Sequence, residues 1–367
     1  MIDWLVCVVP LLHDRINTGR MLAIDEDGQM KWTKEIKTSL EGTYSSNLQV
    51  VSNGCDENHK DLATHIYFSG NPNKFLAGHN VVGSTDIIKL TLFTVIRIVK
   101  LAIAPNQAQI EGSFCPISYY DGRMIPLTEF ELKRILNGDF EVKLFDYNEY
   151  RQLPSQQDVE LFINSFEYHA RSLRERAERK DNTVYLQKRS RKWALKIYSK
   201  YNELLTGNKN HKLPNELEST PLLSFTHAKL RLEIRFLQEV KTIAKKYFNS
   251  DKLLGKHLEP AFIRFLFAEY WGRIKMNGQL ELHNDDLEQL PTKLRAVHEL
   301  WASGKDLKKL YSRATYYRHK ADLLKHGIDI SLRPVDLNKT NNVIPFVRII
   351  SAEPVIIPDN IQQYAIA

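Results

Sequence analysis

Residues 191–204, "RKWALKIYSKYNEL", set two phenolic hydroxyls, Tyr198 and Tyr201, among Arg191, Lys192, Lys196 and Lys200. A tyrosine can attack a phosphodiester if its hydroxyl is exposed and cations offset the charge that builds on phosphorus. A divalent metal usually shares that work. The plainer reading is an amphipathic segment with a half-buried tyrosine. As a strand it puts Tyr198 and Lys200 on one face; as a helix it brings Tyr198 near Tyr201 and Asn202. Either arrangement gives the hydroxyl a polar neighbour.

Three other stretches carry groups of the right kind. In "KFLAGHNVVGSTD" (74–86), His79 lies between Gly78 and Gly83. Turns of this type let backbone amides approach a phosphate. His79 is then a metal ligand or a base, or else an imidazole bonded within its loop. No His-x-His or Cys-x-x-Cys accompanies it, so spacing alone gives no metal site. "KLFDYNEY" (143–150) alternates, with two registers open. Asp146 turned inward needs a cation or a metal; Phe145 and Tyr147 turned inward, with Asp146 in solvent, is simpler. "RLEIR" (231–235) lines up Arg231, Glu233 and Arg235 as a solvated face or as a polar floor beneath a phosphate.

The strongest pattern for duplex DNA is "GKDLKKLYSRATYYRHKADLLKHG" (304–327). It reads as a short helix, a turn at 312–314 and a second helix opening at Thr315. In a helix-turn-helix the early positions of the second helix meet bases and phosphates. That makes Arg318, Lys320 and Tyr316 candidates, with Lys308 on the preceding helix. Arg191 and Lys192 are further phosphate candidates. An ordinary helical hairpin with a basic face is the alternative.

The elements needed to position these groups are legible in outline. "DWLVCVV", "RMLAIDEDGQMKW" with its Asp-Gly turn, "SNLQVVSN" and "THIYFSGNP" read as strands. Residues 86–104 read as a helix, 141–150 as a strand, and Ser155 as the start of a helix. "HAKLRLEIRFL" (227–237) alternates as a strand, and most of the chain beyond 238 follows helical spacing. The tail "NNVIPFVRIISAEPVIIPDN" reads as extended, and 206–216 as a loop. Strands followed by helices imply an α+β protein.

Composition limits the classes. The chain has 367 residues, 43% of them hydrophobic, so it can build real cores and more than one domain. Its net charge of +7 is concentrated in 169–180, 186–200 and 305–320, which points to an anionic partner. Three cysteines without metal spacing suit a reducing compartment. The start, "MIDWLVCVVPLL", carries Asp3 and no leading cation, so it reads as a first strand and not as a signal peptide. Lys89, Arg97 and Lys100 interrupt the most apolar run, which excludes a membrane span there.

Taken together, five stretches resemble the replication initiator endonucleases of filamentous phages, the inovirus gene II proteins: "KFLAGHNVVGSTD", "LFDYNEYRQLPS", "ALKIYSKYNEL", "RLEIR" and "TNNVIPFVRII" (340–350). They occur in the family's order and span nearly the whole chain. The resemblance implies a protein that nicks the viral strand of duplex DNA at the origin and joins that strand's 5′ phosphate through a tyrosine. The 3′ hydroxyl then primes rolling-circle synthesis, and the displaced strand is later cut and rejoined. It maps Tyr198 onto the nucleophile, Lys200 onto the family lysine and Asp146 onto the acidic strand position. His79, Asp146 and Glu233 become candidate ligands for Mg²⁺, or Mn²⁺. The departure is the missing His-hydrophobic-His strand. Met276 sits where the family starts a shorter product internally.

The expected architecture is a Rep/relaxase-like antiparallel-sheet nuclease domain over 1–250, followed by a mostly helical DNA-binding domain over 251–367. Expected partners are double-stranded origin DNA, single-stranded viral DNA and a host helicase and polymerase, in the host cytoplasm, with no membrane. The rivals are a non-catalytic DNA-binding regulator and a single-strand or RNA binder that does not cleave.

Overall fold

The computed structural model describes residues 1–16, 19–55, 62–103, 114–118, 124–172, 177–180, 182–207, 211–273, 290–303, 305–324, 330 and 354–365. The "NNV" stretch and Met276 lie outside the described residues.

In chain order the elements are β1 (Ile2–Asp14), β2 (Arg20–Ile24), β3 (Met30–Glu35), β4 (Thr38–Glu41), β5 (Asn47–Asn53), β6 (Leu62–Gly70), α1 (Pro72–Ala77) and α2 (Ile87–Ile98). There follow β7 (Phe114–Ser118), β8 (Met124–Thr128), α3 (Glu129–Leu136), β9 (Glu141–Gln152), α4 (Gln156–Ser172), β10 (Ala177–Lys180), β11 (Thr183–Leu186) and β12 (Trp193–Ser199). Then come α5 (Lys200–Thr206), α6 (Asn215–Glu218), α7 (Leu222–Phe225), β13 (Lys229–Phe236), α8 (Glu239–Phe248) and α9 (Pro260–Gly272). Nine of the strands form one antiparallel sheet in the order β10-β11-β12-β13-β9-β1-β6-β5-β4. Among the described residues β2 and β3 pair only with each other, as do β7 and β8.

The central strands explain why this sheet forms. β13 sends Leu230, Leu232, Ile234 and Phe236 to one face, where all are buried. Ile2, Leu5, Cys7 and Val9 of β1, Phe145 of β9 and Leu195 and Ile197 of β12 join them. Helices close this face: α2 through Leu90 and Val95, α4 through Phe162 and Phe166, and α8 through Val240 and Ile243. Phe145 and Phe236 stack with centroids 4.7 Å apart. Burying each such side chain contributes about 1.5–3 kcal/mol. The core does not stop at residue 250, because Leu253, Leu258 and the α9 residues Ile263, Phe267 and Trp271 belong to it.

The helical part has its own core. The helices Thr292–Ala302, Leu307–Leu310 and Arg313–Leu324 enclose Leu294, Val297, Leu307, Tyr316 and Leu323. Residues 354–365 pack elsewhere. Ile361 is buried with Val81, Tyr150, Leu204 and Leu222, and the Val355 amide donates to the Tyr150 carbonyl at 3.0 Å. The end of the described chain therefore lies against the strand that carries Asp146 and the loop that carries His79.

Candidate active site

The face of the sheet opposite the helices is polar at β9, β13 and β12. Alternation on β13 puts Arg231, Glu233 and Arg235 there, and pairing sets Arg235 beside Asp146 and Arg231 beside both Tyr150 and Tyr198. The solvated version of "RLEIR" is overturned: Arg231 and Glu233 are 0% and 1% exposed. They form a polar floor, and only Arg235 reaches solvent to any extent.

Tyr198 ends a strand and Lys200 opens a helix. The switch occurs at Ser199, whose hydroxyl accepts the Asn202 amide at 3.2 Å and caps α5. Both sequence readings of this stretch thus hold in part. The Tyr198 hydroxyl donates to Glu233 Oε2 at 3.2 Å, and the Arg231 guanidinium lies 5.8 Å from its ring centre. Burial drives the phenol's pKa well above its ordinary value despite Arg231, so the hydroxyl carries its proton. Glu233 also holds Lys196, whose Nζ is 2.5 Å from Oε1. Lys200 is 1% exposed and donates to Asn80 Oδ1 at 2.9 Å and to Glu203 Oε2 at 2.5 Å. Burial lowers its pKa, although Glu203 opposes this. Tyr201 points elsewhere, its ring packed edge-on against His227 at 5.1 Å.

Asp146 is buried, not in solvent, even though Phe145 and Tyr147 do face the core as the simpler register required. Both faces of β9 are covered, so alternation alone could not place it. Arg235 grips both oxygens of Asp146, with contacts of 2.6–2.9 Å. Burial pushes this carboxyl up to about 7, against the pull of Arg235. Asp3 completes the cluster, with Oδ1 accepting from Asn71 and Asn80 at 2.8 Å and from Arg231 at 3.2 Å. Burial would raise Asp3; Arg231, Lys196 and Lys200 outweigh it and hold the carboxyl below its usual range. Four carboxylates (Asp3, Asp146, Glu203, Glu233) thus face four cations (Lys196, Lys200, Arg231, Arg235).

His79 is not a ligand in this arrangement. Its Nε2 donates to the Tyr364 carbonyl at 3.0 Å, and its Nδ1 accepts the Val81 amide at 3.3 Å. Both nitrogens are satisfied in the neutral ring, and burial lowers its pKa to about 4. Two carbonyls of the loop are engaged from the site: Asn80 O accepts from Arg231 at 2.6 Å and Val81 O from Tyr150 at 3.0 Å. Gly78 is in the left-handed region at φ +80, and a Cβ there would run into the Tyr44 ring.

The metal set expected from sequence is likewise not assembled. Among the described residues no three of His, Cys, Asp and Glu group as metal ligands. Asp146 is engaged by Arg235, and Glu233 by Lys196 and Tyr198. As arranged, this donor set does not fit a divalent cation.

Sequence reasoning missed Asp3, Lys196, Asn80 and Glu203 as members of the site. Only Asp3 left a signal, as an acid immediately before the apolar run 4–12 of the first strand.

The duplex-binding candidates divide. The second helix opens at Arg313, earlier than expected, because the Ser312 hydroxyl accepts the Thr315 amide at 3.3 Å. Arg318 and Lys308 are exposed and Lys320 is half-buried. Tyr316 is withdrawn as a DNA contact: it is 4% exposed inside the helical core, while Tyr317 is 55% exposed. Arg191 and Lys192 are exposed before β12, and their carbonyls accept amides from residues 237–239.

Residues 1–250 match the N-terminal model of the replication-associated protein family of the gene II type, and residues 282–365 match the C-terminal model of the same family. The chain is 34% identical over 358 residues to the replication-associated protein of this type from Enterobacteria phage I2-2, covering 98% of this chain and 95% of that relative.

Proposed function

Because the chain belongs to the family of gene II replication-associated proteins, we propose that it initiates rolling-circle replication of a phage genome by nicking one strand of the origin. The observation that carries the reading is the Tyr198 hydroxyl bonded to Glu233 beside Arg231. In the proposed step the Tyr198 oxygen attacks phosphorus, its proton passes to Glu233, and the bond from phosphorus to the 3′ oxygen breaks. Protonating Glu233 removes one negative charge from the cluster. The surplus positive charge then appears as the phosphorane gains negative charge. Lys196 and Arg235, the members nearest solvent, meet the phosphate. Lys200, its pKa lowered by burial, returns a proton to the 3′ oxygen. The phosphotyrosine link keeps the bond energy, so the displaced strand can be rejoined by the reverse step. Tyr198 is 4% exposed, so the side chains that cover it must shift before a strand reaches its hydroxyl.

The assay contains Mg²⁺, for which Mn²⁺ can substitute. Residues 1–250 would supply the nuclease and 251–367 origin binding, with α9 shared through packing. Host helicase and polymerase would act on the nicked product in the host cytoplasm. The test is incubation with supercoiled origin DNA and Mg²⁺, followed by a denaturing gel. Relaxed circles with protein on the 5′ end support the reading. Binding without relaxation leaves the non-catalytic regulator.

A further inference from the structure

One feature of the fold plays no part in the chemistry at Tyr198. Among the described residues the β2–β3 ribbon pairs with no other strand, and Met21, Leu22, Ile24, Met30 and Trp32 are 51–62% exposed on it. An isolated two-stranded ribbon with apolar side chains in water is marginal, and gains from a ligand laid against it. At its foot is a groove of about 290 Å³, lined by Val51, Asn53 and Tyr67 of the sheet and by Lys34, Lys37 and an Arg15–Glu35 pair at 2.6 Å. Met21 pairs with Lys34 and Ala23 with Trp32, so Lys34, Met21 and Trp32 share one face of the ribbon. Lys37 sits 4.2 Å from the centre of the Tyr67 ring.

Strand register ties this groove to the catalytic centre. Val6 pairs with both Ser69 and Leu144, which puts Tyr67 on the same face of the sheet as Asp146, and through Arg235 and Arg231 on the same face as Tyr198. Four strand spacings separate β6 from β12, about 19 Å, the span of a few nucleotides.

We propose that the groove between the β2–β3 ribbon and β5–β6 is a second binding site for unpaired DNA, with bases stacking on Trp32 and Tyr67 and phosphates on Lys34 and Lys37. Aromatic platforms interleaved with cations are what sequence-tolerant single-strand binding requires. A protein partner would use the apolar side chains equally well, but the lysines and the shared face with Tyr198 favour DNA. The ribbon tip is acidic, with Asp25 accepting the Asp27 and Gln29 amides in its turn. It repels phosphates and so confines the strand to the stem. The inference extends the proposed function, since a strand cut at Tyr198 needs a path, but its test reads affinity and not cleavage.

The experiment measures fluorescence anisotropy of a labelled oligothymidylate of about 20 nucleotides, long enough to span such a site, with full-length Tyr198→Phe protein so that nothing is cut. Adding Trp32→Ala should weaken binding about tenfold. Adding Lys34→Ala and Lys37→Ala together should flatten the slope of log affinity on log salt by about 1.4. Binding to a non-origin duplex should change much less. The lysine pair is exposed and carries the test if Trp32→Ala melts the ribbon. Unchanged affinity and slope would overturn the proposal, as would equal losses on duplex and single strand. A Trp32→Ala effect seen only in self-association by sedimentation would reassign the ribbon to protein docking and also overturn it. Should Tyr198→Phe protein still nick, the nucleophile assignment falls while the ribbon result stands.

Discussion

The cluster around Tyr198 and the helix Arg313–Leu324 are both rich in charge, and they use it in opposite ways. Around Tyr198 the charges are buried or half-buried and paired, and three of the four pairs join distant parts of the chain: Arg231 with Asp3, Arg235 with Asp146, Lys196 with Glu233. On the helix, Arg318 is exposed. A buried, paired charge is held in one geometry, and its loss leaves a partner stranded in low dielectric. An exposed charge is mobile, screened by salt and additive with its neighbours. The first arrangement suits a step that demands fixed positions; the second suits a long anionic partner gripped at many points.

The largest effect that could break this contrast is at the hydroxyl itself. Tyr198→Phe should lower nicking by at least about a thousandfold, while origin binding in a gel-shift titration stays near that of the parent. Stability should fall by only about 1 kcal/mol, the value of one hydrogen bond to Glu233. If Tyr201→Phe, and not Tyr198→Phe, stops cleavage, the site has been centred on the wrong tyrosine.

Arg231→Met is next. It leaves Asp3 buried without its guanidinium, at an expected cost of about 3–5 kcal/mol in urea unfolding. A loss below about 1 kcal/mol, the worth of a surface pair, would show that the two regions do not differ as described.

Acid should act on the buried region in part through His79. Its pKa is about 4 in the folded chain against 6.5 for the free side chain. Between those values the unfolded chain takes up a proton and the folded one does not. His79's contribution to stability is therefore complete above pH 6.5 and lost as pH falls toward 4, by about 3 kcal/mol, while Asp146, raised to about 7, works in the opposite direction over that range. Burial shifts His13 in the same direction as His79 and adds to the loss. His79→Gln should flatten the acid limb of the stability curve; an unchanged limb would exclude His79 as its source.

The smallest effects belong to the exposed helix. Arg318→Ala should reduce the preference for origin over random duplex by about 1–3 kcal/mol. Lys308→Ala and Lys320→Ala should weaken all sequences alike and flatten the salt slope by about one unit each. An origin-to-random ratio that ignores Arg318 would make this a packing helix with a solvated face.

Those contrasts also explain what the sequence could reveal. The alternation of β13 is legible because one of its faces is wholly apolar, and Ser155 marks α4 because its hydroxyl meets the Asp158 amide locally. Asp146 was not legible. Its environment is set by Arg235, 89 residues away, and no local pattern reports a pairing at that distance. The separate engagement of His79, Asp146 and Glu233 was hidden for the same reason, since Tyr364, Arg235 and Lys196 reach them from elsewhere in the chain. Tyr316 was misjudged because early position in a helix does not tell which side faces the neighbouring helices.

The His79 loop has a consequence for the order of events during synthesis. Its imidazole is held by a carbonyl 285 residues downstream, and Val81 of the same loop is buried with Ile361. The loop also supplies Asn80, which touches both Lys200 and Asp3. A chain still on the ribosome can assemble its sheet, but the loop lacks its clamp until residues 354–365 emerge. A version stopped at residue 353 is the check: it should keep the sheet's far-ultraviolet signature and lose protection of the residue 79–82 amides from hydrogen exchange. The fold thereby holds back the centre around Tyr198 until a segment made long after it has docked.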